Sequence, residues 1–248
     1  YTYVASATAV LQVNAVPIFV DVEGDTYNLD PALLEAAITD RTRAIMPVHF
    51  GGQSCDMDAI LDIARRHGIA VVEDAAHGHG SEWRGRKVGA LGDIGSFSFQ
   101  ASKNMTAGEG GIVLTNNRDL AEKCDSLLWA GRQKGRPWYE FHQLGWNYRM
   151  TEFQAAILLV QLERLAEQNA RRMDNARYLA KLIADLPGLA PLRWDERTTK
   201  HSFYLYILRF DPAAFGGVPR SRFVDALIAE GVPAFTGYTF PVYANPMF

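Results

Sequence analysis

Three short apolar runs, "VPIFVDV", "RAIMPVHF" and "IAVVEDAA", end in polar or turn-forming residues and are separated by stretches with helical spacing, "DPALLEAAI" and "DMDAILDIARRHG". Runs of this length bounded by turns read as buried strands, and strands alternating with helices read as βαβ units. The alternation predicts an α/β fold with a mainly parallel sheet covered by helices. The helix ends agree. Pro31 stands where a first turn tolerates proline, and Gly68 follows "IARRH" where a helix stops.

Further along, Ser96, Ser98 and Gln100 alternate with Phe97 and Phe99, the period of a half-buried strand, and "GGIVLT" is placed to pair with it across a turn at 108–111. From Thr151 a single long helical pattern begins, opened by a capping box of Thr151 and Gln154 and closed by Pro187 and Gly188. "HSFYLYILRF" reads as a strand and "SRFVDALIAEG" as a helix. The expected organisation is a large domain over 1–165, followed over 166–248 by a long connecting helix and part of a smaller α+β domain. No internal repeat or low-complexity segment interrupts it.

Bulk properties remove several function classes. The chain has 248 residues, 48% hydrophobic and 21% charged, enough for a substantial core. Its formal net charge of -3 is spread over interspersed residues of both signs, so nucleic acid is not an expected partner. No apolar run approaches the roughly 18–20 residues that span a bilayer, and the first residues lack a signal-peptide layout. Two cysteines, Cys55 and Cys124, form no disulfide framework and fit a cytoplasmic setting.

In an open α/β sheet ligands bind beyond the carboxyl ends of the strands, so polar residues ending apolar strands are the first candidates for a site. "IAVVEDAAHGHG" ends in Glu73 and Asp74, with His77 close behind; "RAIMPVHFGGQ" ends in His49; "SFSFQASK" delivers Ser98 and Lys103. One chemistry uses an acid, a serine, a lysine and small residues together. A lysine amine captures a cofactor aldehyde, a carboxylate holds a pyridine nitrogen protonated, and a hydroxyl with glycine-loop amides binds a phosphate. Those are the parts of a pyridoxal 5'-phosphate site. Ala75 and Ala76 fit it, because small side chains let a flat ring lie against the backbone. His77 and His79 have no further ligand at metal spacing, so a metal is not expected. No G-x-G-x-x-G follows a strand and opens a helix, which speaks against a nicotinamide-dependent oxidoreductase.

The ordered set "EDAAH", "G-x-x-GD-x-G-x-FSF", "K-N-x-T-x-GEGG" and "G-x-NYRMTEFQAA" resembles the DegT/DnrJ/EryC1/StrS family of pyridoxal-phosphate sugar aminotransferases, over nearly the whole chain. The resemblance implies the fold of aspartate aminotransferase and a homodimer with shared active sites. It implies Lys103 as the covalent cofactor lysine, Asp74 as the pyridinium partner and Ser98 as a phosphate ligand. It further implies His77 near the cofactor's phenolic oxygen, Tyr3 stacked on its ring, and Asn147 reaching the phosphate of the neighbouring subunit. Asn147 also has a structural reading, as a cap near the helix of Thr151. Members of the family carry a glycine-threonine phosphate loop ahead of the segment matching "YTYVASATAV" and complete the small domain beyond "PVYANPMF". The expectation is therefore a piece of a longer protein, which as it stands binds cofactor poorly.

A lysine at 103 disfavours the dehydratases that carry histidine there. The resemblance points to transfer of an amino group from glutamine or glutamate to a keto-sugar or keto-cyclitol. The alternatives are an aromatising dehydratase like 3-amino-5-hydroxybenzoate synthase and a non-catalytic regulatory member of the same fold.

Overall fold

The computed structural model describes residues 1–248. At its centre lies a four-stranded sheet in the order β1 (Ala44–Ile45), β2 (Ala70–Asp74), β5 (Ile94–Ser98), β6 (Gly111–Leu114). The first three strands run parallel and β6 pairs antiparallel to β5, with Ser98 opposite Gly111. The expected mainly parallel sheet and its hairpin-like fourth strand are both present. Helix α1 (Ala5–Gln12) and the single turn α2 (Pro31–Leu34) precede it; α3 (Met57–His67) joins β1 to β2, and α4 (Arg118–Leu128) follows β6.

Local chemistry explains these ends. Asp30 caps α2 by accepting the Ala32 amide with Pro31 in the first turn, and Asp56 caps α3 by accepting the Ala59 amide. Gly68 ends α3 in the left-handed region at φ 63°, which glycine enters without a Cβ penalty. The apolar face of α3 (Met57, Ile60, Ile63 and Ala64) packs with Ile45, Val71, Trp83 and Val88 in the main core.

Two short strands, β3 (Glu82–Trp83) and β4 (Arg86–Lys87), form a hairpin that β8 (Thr198–Lys200) completes from the C-terminal third. Helix α5 (Glu152–Ile183) is the long helix, with the Thr151–Gln154 capping box in place. Its Leu158 and Leu165 pack on Phe99 and Met105, which flank the Lys103 turn. Beyond it, β7 (Leu189–Pro191) pairs with β9 (Leu208–Phe210), and α6 (Arg220–Ala229) follows.

Two sequence expectations are corrected. "VPIFVDV" forms no strand: its only ladder contact is the isolated Val22–Leu29 bridge, and Val16 and Ile18 lie exposed. The Val22 amide turns to the Asp21 carboxylate instead of a neighbouring strand. "HSFYLYILRF" is a strand only at Leu208–Phe210. Upstream, the amides of Ser202 and Leu205 bond to the carbonyls of Gly52 and Gly51, and Phe203 sits at φ 41°. This segment crosses the carboxyl end of the large sheet, where it meets the Lys103 turn.

Candidate active site

Asp74 ends β2 and Ser98 ends β5, and since Asp74 pairs with Ser96 the two strand ends open side by side. After Ser98 the chain turns sharply. The Lys103 amide donates to the Gln100 carbonyl at 3.0 Å, and the Ala107 amide and Thr106 hydroxyl both return to the Phe99 carbonyl. From outside the sheet, Gln161 of α5 grips this turn with its amide group, accepting from the Thr106 N–H at 2.9 Å and donating to the Thr106 carbonyl.

Lys103 is half-buried, and its Nζ makes no hydrogen bond or ion pair. Its near neighbour is the Tyr204 ring, with the amine 4.4 Å from the ring centroid. Tyr204 is held in turn by a 2.8 Å hydrogen bond between its hydroxyl and that of Ser102, and by stacking on His77 at 4.3 Å between centroids. The same crossing segment bonds Asn104 Nδ2 to the Ser202 carbonyl and Ser202 Oγ to the His77 carbonyl. Asp74 accepts from Ser6 Oγ through Oδ2 and from the Ala76 amide through Oδ1. It also lies near Tyr238, whose hydroxyl is pushed up to about 12 by burial first and then by Tyr204, Tyr1, Tyr3 and Asp74 itself.

His77 is buried, and its Nδ1 accepts the Gly51 amide at 3.2 Å. The ring is thus neutral with its proton on Nε2, free to donate. Burial, then the charges of Lys103 and His79, bring its pKa down to about 3. Burial likewise takes His79 to about 4, with Lys103 adding to the effect and the Ser98 backbone opposing it, and takes His201 to about 3. Each of these rings must remain uncharged in the fold but takes a proton near pH 6.5 once unfolded. Their stabilisation is complete above pH 6.5 and declines as the pH falls toward 4. Thermal midpoints measured between pH 6.5 and 5, above the carboxylate range, should fall steadily. A flat profile there would contradict the buried neutral histidines.

Ser98 Oγ accepts the Gln100 amide at 3.2 Å, leaving its own proton available. Tyr3 is 61% exposed just ahead of α1, on the Tyr238 side of the site. Asn147 is exposed, bridged to Trp129 and accepting from Arg149 Nε. It does not cap α5, a role that belongs to Thr151.

His49 and Glu73 do not face the opening. Both side chains are fully buried, with His49 Nε2 2.9 Å from Glu73 Oε2. His49 Nδ1 accepts the Cys55 amide, so the proton sits on Nε2 and points at Glu73. Glu73 also accepts the amides of Gly89, Leu91 and Gly92 at 2.6–2.7 Å. Alternation along β2 turns Asp74 to the opening and Glu73 away from it, and His49 is paired with Glu73 inside the fold.

Three contributors escaped the sequence reading: Ser6, Tyr204 and Gln161. Ser6 carried a faint signal in its helical spacing from Thr2, whereas Tyr204 meets Lys103 from about a hundred positions away, with nothing local to mark it.

The donor set fits pyridoxal phosphate. It holds an amine without a competing partner, an oriented carboxylate, a neutral imidazole with a free N–H, a serine proton and two alanines beside the acid. An α/β sheet presenting this set at its carboxyl edge defines a protein of the pyridoxal-phosphate-dependent transferase class. The chain belongs to the DegT/DnrJ/EryC1/StrS aminotransferase family, whose sequence profile matches residues 1–248. It is 44% identical over 255 residues to the L-glutamine:scyllo-inosose aminotransferase of Streptomyces griseus, covering 99% of this chain and 60% of that protein. It is 44% identical over 248 residues to the GDP-perosamine synthase of Caulobacter vibrioides, covering 98% of this chain and 66% of that one. Among solved structures, 3-amino-5-hydroxybenzoic acid (AHBA) synthase superposes with a TM-score of 0.92 at 37% identity, covering 100% of this chain and 64% of that one. S. venezuelae DesV gives 0.92 at 38%, covering 100% and 64%. The chain thus spans about 60% of the length of the first curated relatives it matches.

Proposed function

We propose that this chain carries the cofactor site of an aminotransferase that moves an amino group from glutamine or glutamate to a keto-cyclitol or keto-sugar. The observation that carries the reading is Lys103: a half-buried amine with no ionic or hydrogen-bonded partner, at the end of the strand beside Asp74. Identity of 44% to a protein named for transfer from glutamine to an inosose supports the donor and the acceptor class.

When bound, pyridoxal phosphate supplies an aldehyde for amine capture and a protonated ring that draws electron density from the carbon losing its proton. Lys103 is the amine that would hold the aldehyde. With the donor bound, its Nζ would take the proton from the donor's α carbon as a general base and later give it back as a general acid. Asp74 would accept from the ring N–H and hold that positive charge in place. His77, neutral and with Nε2–H free, would donate to the phenolic oxygen, Ser98 would donate to the phosphate and Tyr3 would cover the ring.

Homodimer formation is part of the same proposal. Trp138, Tyr139, Leu144 and Phe153 are each more than 70% exposed around Asn147, a surface more apolar than free solvent favours. Asn147 on this loop suits a contribution to a second copy's phosphate site. A division near 165/166 and a cytoplasmic location complete the reading; no helix is long and apolar enough to cross a membrane.

The test adds pyridoxal phosphate to the full-length protein, reduces with borohydride and maps the modified peptide, then offers keto-cyclitols with glutamine. A visible band, a reduced adduct on Lys103 and glutamine-dependent amination support the proposal; an adduct on any other lysine ends it. The likeness to AHBA synthase favours one second reading, a dehydratase using the same Lys103. Turnover of a cyclic amino substrate without any amino donor would select it.

A further inference from the structure

Two donors approach Asp74 from different parts of the chain. The Ala76 amide, at 3.1 Å from Oδ1, belongs to the same turn, while Ser6 Oγ, at 2.7 Å from Oδ2, comes from the first turn of α1. Ser6 Oγ also lies 2.8 Å from Thr2 Oγ1. A hydroxyl has one proton to give, and Ser6 gives its own to Asp74, so Thr2 is the donor to Ser6. Donation therefore runs in one direction, from Thr2 to Ser6 to Asp74, and each bond polarises the next.

A carboxylate turns easily about its last bond, whose torsion is broad and two-fold. One amide at the same turn leaves Oδ2 able to swing. A second donor on the other oxygen, from a separate helix, fixes the plane of the group. Short bonds to an ionised acceptor are also the stronger kind.

We propose that Ser6, backed by Thr2, is a positioning residue for Asp74, holding its carboxylate plane so that a lone pair stays directed at the ring nitrogen of the bound pyridine cofactor. The inference rests on the pyridoxal phosphate reading of the site. Neither residue touches the reacting atoms; both act through Asp74.

The experiment compares Ser6→Ala and Ser6→Thr, alone and combined with Asp74→Asn, in the full-length protein with pyridoxal phosphate as the probe. It reads the dissociation constant by absorbance titration and the pH midpoint of the visible band. Ser6→Ala should weaken binding about three- to tenfold. It should also move the midpoint upward, because a ring nitrogen held less firmly protonated withdraws less from the lysine adduct. Ser6→Thr should restore both values. In the Asp74→Asn background Ser6→Ala should change binding by less than about twofold, the sign that Ser6 works through the carboxylate. Parental binding and midpoint in Ser6→Ala, or an equal loss in both backgrounds, would overturn the proposal while leaving the cofactor site standing. Absence of any band in the parent would remove the cofactor reading itself and this inference with it.

Discussion

Under the proposed function, Lys103→Ala should abolish the visible adduct with pyridoxal phosphate and lower amino transfer by roughly a thousandfold or more, since it would remove both the covalent attachment and the proton-moving group. The fold should hardly notice. Lys103 Nζ makes no hydrogen bond or ion pair; it lies against the Tyr204 ring, and its charge bears on the neutral rings of His77 and His79. A half-buried contact of the Tyr204 kind is worth about 1 kcal/mol. Lys103→Arg sharpens the test: a guanidinium keeps a cation against Tyr204 but stays protonated and cannot capture an aldehyde. The arginine variant should melt with the parent and remain as inactive as the alanine one. Residual activity above a few per cent in either variant would mean that another amine performs the chemistry.

Glu73→Ala acts in the opposite way, on the fold before the chemistry. Burial alone would raise the pKa of this carboxyl, but His49 and the amides of Gly92 and Gly89 more than offset it and hold the group ionised, below the usual carboxylate range. Removing the side chain leaves the buried amides of Gly89 and Leu91, the partly buried amide of Gly92 and the His49 Nε2–H without their acceptor. Breaking a buried pair of this kind costs about 3–5 kcal/mol. In a chain of this size that lowers the thermal midpoint by roughly 6–20 °C. The turn that Glu73 holds also lies against β5: a Cβ at Gly95 would fall 2.1 Å from the Gly89 carbonyl oxygen. Strand β5 can therefore pass that point only as glycine, and the loss should reach the placement of Ser98 and Lys103. A melting midpoint within about 2 °C of the parent would show that the turn holds itself without Glu73.

Both residues stand out in the sequence, for different reasons. Lys103, Asp74 and Ser98 lie at the ends of strands whose apolar patterns are strong, so sheet topology alone gathers them. Glu73 shares the strand end with Asp74, and only alternation along β2, once the strand is built, separates the inward carboxylate from the outward one. His49 belongs with Glu73 for the same reason. The apolar run ending in Asp21 misleads because strand propensity describes a side-chain pattern, whereas strand formation needs a neighbouring ladder. The crossing segment of 201–207 misleads similarly, since its amides are claimed by Gly51 and Gly52. Tyr204 was illegible because its contacts are set by that crossing and not by its neighbours in sequence.

The amide of Gln161 meets both faces of one peptide position, the N–H and the C=O of Thr106, three residues past Lys103. A single side chain thereby pegs the lysine turn to α5 as a latch pegs a door to its frame. The reach of Lys103 is set by the seating of the helix, and a displacement of α5 along its axis would carry the amine with it while Asp74, anchored in β2, stayed behind.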